Sequence, residues 1–206
     1  MSKISRLAMA AAALMTIVTQ QNANAGLIGA PLALRGAIQH IKFESPTMTP
    51  MAFTKFCLNY ADECKPRRRM VFRGSRVKLT DERMAVLKEV NRDVNASIRF
   101  ERNNEGLSGE KWLINPVAGD CNDYAVSKRH ELLARGWSTR ALLLSEVVTT
   151  WGEHHLVLVV RTSQGDLVLD NLTGHIVPWT KKSYQWVRIQ TPNNPKYWAS
   201  LSERSV

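Results

Sequence analysis

The chain has 206 residues and a formal net charge of +10, from 28 Lys and Arg against 18 Asp and Glu. That length suits one domain with a real core, and neither repeats nor low-complexity runs interrupt it. After the N-terminal region no stretch approaches the ~20 apolar residues of a membrane helix, so a helical membrane-spanning protein is not expected.

Residues 1–25 read as a secretory signal peptide. Lys3 and Arg6 precede an apolar stretch, Leu7 to Val18, that is too short to span a bilayer comfortably. Ala23-Asn24-Ala25 then supplies a small-x-small cleavage site. Removing Lys3 and Arg6 with this segment leaves a domain at 26–206 with a charge of +8. The expected location is a bacterial periplasm, where a basic protein meets anionic surfaces or acidic proteins and not nucleic acid.

Residues 26–55, with Pro31, Pro46 and Pro50, read as irregular. Cys57 and Cys64 follow in FCLNYADECKP, close enough to close a small disulfide loop in an oxidising compartment. The segment 65–78, KPRRRMVFRGSRVK, carries seven Lys or Arg and no acid, and reads as a solvated loop. In LTDERMAVLKEVNRDVNASI, Met84, Leu87, Val90 and Val94 repeat at steps of 3, 3 and 4. That is one face of a packing helix, capped by Thr80, with Asp81 and Glu82 at its positive end.

A second helix is expected from about Cys121 to Arg135, stopped by Gly136. Strand-like runs follow at 140–148, 154–162, 166–170 and 184–190, with SQGD as a hairpin turn between the second and third. A helix feeding an antiparallel sheet argues for an α+β domain.

If Cys57 pairs with Cys64, Cys121 stands alone, and an unpaired cysteine in an exported protein points to catalysis. The bland alternative is a buried inert thiol. Two acids, Asp120 and Asp123, flank it and disfavour the thiolate, whereas the helix start favours it and offers N–H groups to an oxyanion. A cysteine nucleophile also needs a base and a group that orients the base. In HHLVLVV, His155, Val157 and Val159 share one strand face, and His154, Leu156 and Leu158 share the other. Alternation leaves both histidines open. The orienting group is Asp170, with the Asn171 amide as alternative. Pairing Arg161 with Asp166 in an ideal register is read as bringing Asp170 near Trp151 to Glu153, and a small shift as bringing it beside His155. Trp112 reads as a groove or core residue, and Trp151 as a shield over the imidazole.

Cysteine on a helix, histidine on a strand and aspartate on the next strand is the order of the transglutaminase-like branch of papain-type folds. More narrowly, the chain resembles the bacterial transglutaminase-like cysteine proteinases. The matching pieces are Cys57 and Cys64, the KWLINP stretch, GDCNDYAVSKRHEL, HHLVLVV and GDLVLDNLTG, in order over roughly 50–180. The resemblance implies a papain/transglutaminase-like fold with the nucleophile helix packed on an antiparallel sheet. It also implies Cys121 as nucleophile, His155 as base and Asp170 as orienting residue. Calcium is implied as a cofactor, with Asp120, Asn122 and Asp123 as ligands. Asn122 departs from the acid common in the family, and ERNNEGLSGEKW lacks an expected aspartate. The implied partners are a protein substrate, such as a large surface adhesin cut near its N-terminus, and an inner-membrane regulatory receptor. The same triad would serve a transglutaminase or a cell-wall peptide amidase, since each proceeds through a thioester. A third reading is a non-enzymatic calcium-binding adaptor with a vestigial triad.

Overall fold

A computed structural model of the chain describes residues 39–65 and 75–201. The expected signal peptide and most of the basic segment lie outside the described residues.

Among the described residues, seven strands form one antiparallel sheet in the order β1-β9-β8-β4-β5-β6-β7. These are β1 (Phe43–Thr47), β4 (Leu142–Val148), β5 (His154–Thr162), β6 (Gly165–Leu169), β7 (Val177–Pro178), β8 (Gln185–Gln190) and β9 (Trp198–Leu201). A separate parallel pair joins β2 (Arg99–Phe100) to β3 (Ala118–Gly119). Three helices matter for the site: α1 (Met51–Asn59), α2 (Asp81–Ser97) and α3 (Cys121–Ala134). The α+β expectation holds, with α3, which begins at Cys121, packed on an antiparallel sheet.

Each face of the sheet carries its own apolar cluster. Leu156, Leu158 and Val160 of β5 pack with Leu87, Val90 and Val94 of α2 and with Leu132 and Leu133 of α3. Val157 and Val159 point the other way, into a cluster with Ile41, Val168 and Trp179. Central strands with both faces covered read as continuous apolar runs, which explains LVLVV in β5.

The helix ends follow local chemistry. Thr80 accepts the Arg83 N–H at the start of α2, where Asp81 and Glu82 sit. Three of the four expected stripe residues are fully buried, and Met84 is half-buried. After α3, Gly136 takes φ +87°, and the Gly136 and Trp137 N–H groups bond the Leu133 and Leu132 carbonyls. That closing pattern needs a left-handed residue, hence glycine.

Two expectations change. Residues 26–55 are not irregular throughout, because β1 and the start of α1 fall within them. β1 lies at the sheet edge, where a proline such as Pro46 is tolerated, and Pro50 immediately precedes α1. The second concerns register. Arg161 pairs with Asp166 as expected, and the ladder ends at Leu158 with Leu169. Asp170 therefore follows level with Val157, diagonal to His155 on the same strand face, and not near Trp151 to Glu153.

Candidate active site

The cleft at the start of α3 is about 910 Å³ and is lined by Cys121, His155, Trp112, Trp151, Asn171 and Leu172, among others. Two of the expected site residues line it, and the third, Asp170, is bonded to His155 behind it. Cys121 is the first residue of α3. His155 is the second residue of β5, and Asp170 follows the last residue of β6.

The entry to α3 is fixed by a reciprocal cap. The Asp120 carboxylate accepts the Asn122 N–H at 2.9 Å, and Asp123 accepts the Asp120 N–H at 2.9 Å. Asp123 also accepts the Leu113 N–H at 2.7 Å, which ties the preceding loop to the helix. Gly119 is required here, because a Cβ would collide with the Asp123 carboxylate. The GDCND string is thus a turn, a cap, a thiol and the second half of the cap.

His155 is 6% exposed, and its Nε2 stands 2.9 Å from Asp170 Oδ1. Asp170 is buried and takes four donors. The Leu172 N–H joins His155 on Oδ1 at 3.0 Å, while Lys182 Nζ and Tyr184 Oη each donate to Oδ2 at 2.6 Å. Burial raises the carboxyl, but the His155, Lys182 and Tyr184 hydrogen bonds outweigh it and hold Asp170 well below the usual carboxylate range. With Nε2 turned to Asp170, Nδ1 is the ring nitrogen left for the cleft.

Cys121 is half-buried and is the free cysteine of the described residues. The backbone N–H of Leu156, next to His155, faces its sulfur and favours the thiolate. Burial and then the Asp120 carboxylate outweigh that N–H, together with Glu110 and Asp123, and push the thiol up to about 12. Burial also raises Asp120, and raises Asp123 to about 6 despite its backbone donors. At rest Cys121 is therefore a protonated thiol, and to act as a nucleophile it would need a neighbouring base.

The three acids around the sulfur are hard oxygen donors, a chemistry that suits Ca²⁺. Asn122 turns its amide to Glu110 at 2.7 Å, which adds a fourth oxygen-bearing side chain to the cluster. The donor set fits a divalent cation in type and charge. As arranged, no three metal-binding side chains converge on a point among the described residues.

Other expectations resolve plainly. His154 is exposed and bonds Glu146 at 2.9 Å, away from Asp170. Asn171 lines the cleft, while the partner of His155 is Asp170. Trp112 is 4% exposed, lies 5.8 Å from the Phe53 ring, and still reaches the cleft, so both of its readings hold. Trp151 is 59% exposed at the rim and bonds Glu153. Cys57 and Cys64 form the expected disulfide. Lys182, Tyr184 and Glu110 were not foreseen. For Lys182 and Tyr184 the only signal was KKSY leading into a strand-like run, which marks no chemistry by itself.

A helix-borne thiol and a strand-borne histidine line one cleft over an antiparallel sheet, and the histidine is bonded to a buried aspartate, an arrangement of the kind cysteine peptidases use. The family model for the bacterial transglutaminase-like cysteine proteinases matches residues 43–206; the chain belongs to that family and is a cysteine peptidase. Three solved forms of LapG from Legionella pneumophila are similar. The calcium-bound form has 22% identity and a TM-score of 0.50, covering 63% of this chain and 76% of that one. A second form has 23% identity and a TM-score of 0.48, covering 59% and 71%. The EGTA-treated form has 23% identity and a TM-score of 0.49, covering 63% and 72%. At that identity the likeness to the calcium-bound form shows the fold alone, a transglutaminase-like one. No curated protein matches the chain.

Proposed function

We propose that the protein is a periplasmic endopeptidase using Cys121, His155 and Asp170. The observation that carries this reading is that Cys121 and His155 line one cleft, with Asp170 bonded to His155 beneath its surface and the Leu156 N–H on the sulfur. His155 takes the thiol proton, and Cys121 Sγ attacks the peptide carbonyl to give a tetrahedral adduct. The C–N bond then breaks, the proton passes from the imidazolium to the departing amine, and a thioester remains. Water, deprotonated by the same imidazole, hydrolyses the thioester and frees the thiol. Asp170 holds the ring and stabilises its charged form, and the Cys121 backbone N–H at the positive end of α3 is the proposed oxyanion donor.

Export to the periplasm is supported by the residue pattern of 1–25 and by a Cys57–Cys64 disulfide, which suits an oxidising compartment. The substrate proposed from the family is a large surface adhesin cut near its N-terminus, with an inner-membrane receptor as regulator. An open cleft of about 910 Å³ accommodates a chain segment.

Cys121→Ala is expected to abolish cleavage, by at least about 10³-fold, and leave the melting temperature within a few degrees. Mass spectrometry of an adhesin fragment incubated with each form reads the outcome. New N-termini made by the wild type alone support the reading; equal cleavage by Cys121→Ala, or isopeptide products, removes it.

Calcium is proposed to bind at Asp120, Asn122 and Asp123. The support is the oxygen-donor cluster and the calcium-bound form of the Legionella relative. A bound cation would offset the negative charge crowded around the sulfur. Millimolar Ca²⁺ is expected to raise the melting temperature by a few degrees and EGTA to reverse it. Identical melting curves in both would remove the cation.

A further inference from the structure

Asp170 is an unusual third residue, because its outer oxygen faces a fixed positive charge and not solvent. Its side chain is 0% exposed and that of Lys182 is 12% exposed, yet their charged atoms are 2.6 Å apart. Tyr184 touches the pair from both sides. Its hydroxyl donates to Asp170 Oδ2 at 2.6 Å, and its ring stands edge-on to the His155 ring with centroids 5.9 Å apart. Lys182 Nζ and Tyr184 Oη are themselves 3.4 Å apart, so the three groups form a closed triangle behind the imidazole.

We propose that Lys182 and Tyr184 are positioning residues of the peptidase, acting through Asp170 to fix the His155 ring and to limit how strongly it holds a proton. The inference rests on the proposed roles of His155 and Asp170. Two hydrogen bonds on Oδ2 leave Asp170 one rotamer in which Oδ1 meets Nε2, so the ring cannot turn its other nitrogen away from the cleft. Charge is the second effect. A bare buried carboxylate beside an imidazole strongly favours imidazolium, by one or more pK units. An ammonium already paired with that carboxylate cancels much of the preference, so a proton accepted from the thiol is also released to the leaving amine.

The other charged or titratable groups around the pair arrive from two elements. Asp120 and Cys121 come from the start of α3, with Lys128 further along it, and Glu153 immediately precedes β5. Asn95 of α2 contributes only an uncharged contact with the Asp170 carbonyl. Of the cations, Lys182 is the one bonded to Asp170.

The test reads His155 directly by NMR titration of its ring protons in the full mature chain, assigned with His155→Ala. Lys182→Met is expected to raise the His155 titration midpoint by about one pH unit. Lys182→Arg should return it to within a few tenths of the wild-type midpoint. Tyr184→Phe should move it in the same direction by less, and it carries the test if Lys182→Met does not fold. A merely structural role would lower the melting temperature and leave the midpoint in place. An unchanged midpoint in folded Lys182→Met, or in Tyr184→Phe should that variant alone fold, overturns the proposal. Failure of the underlying reading shows elsewhere, as iodoacetamide alkylation of Cys121 that is unaffected by His155→Ala.

Discussion

Lys128 lies on α3 with 1% of its surface exposed, its ammonium 6.0 Å from the centre of the Tyr124 ring. Burial pulls its pKa down to about 7, aided by Lys182 and opposed by Asp170. From about 7 up to the ordinary value of 10.5 the unfolded chain therefore holds a proton that the folded chain has released. Stability rises with pH through that window, and below it the penalty for burying the charge is complete. Lys128→Met, close in length and uncharged, is expected to stabilise the protein by about 1–4 kcal/mol near pH 6–7, with the gain fading towards pH 10. Thermal melts across that range check it, and a lower melting temperature for Lys128→Met at pH 7 refutes it. Cys121 stood out in the sequence as an unpaired cysteine opening a helix, and His154 and His155 as imidazoles opening an apolar strand, with the family resemblance choosing His155. Lys182 and Tyr184 did not, because the first sits in an aperiodic stretch and the second only opens a strand-like run, and both gain meaning only from Asp170, 12 and 14 residues away.

At the scale of elements, legibility followed how much of the structure is local. The stripe of α2 and the glycine stop of α3 depend on neighbours three to five residues away, and both fall where periodicity places them. The β5–β6 hairpin is local as well, since Thr162 pairs with Gly165 across a two-residue turn and Gly165 takes φ +109°. β1 and β9 were not legible. β1 reads FESPT, with three polar residues and a proline, and it is a strand because it borders β9, more than 150 residues away. Edge strands carry little apolar signal, since only one neighbour and part of one face shape them. Asp170 shows the same limit at finer grain. Its strand was evident, whereas its partner depended on counting the ladder correctly, and a slip of register changes which residue stands opposite.

Across the whole molecule, the disulfide and α3 are mechanically joined. Cys64 belongs to the short turn Ala61–Cys64, and Glu63 in that turn accepts Arg129 of α3 at 3.0 Å and faces His130 at 2.8 Å. The Cys57–Cys64 bond fixes this turn to α1, whose Phe53 packs on Trp112 and Trp198. One covalent link therefore holds the middle of α3 against the wall that carries Trp112, and so bears on where Cys121 enters the cleft. For a loop this short, the chain-entropy contribution is about 2–3 kcal/mol. Replacing both residues, Cys57→Ala with Cys64→Ala, should then lower the melting temperature by roughly 5–10 °C in a domain of this size. Because Glu63 is the buried partner of Arg129, loosening its turn should also lower activity at temperatures well below the melt. Mass analysis of the untreated protein should find the two cysteines linked. Two free thiols in protein recovered from its native compartment, or a double variant that melts and cleaves like the wild type, would show that α3 is held by packing alone.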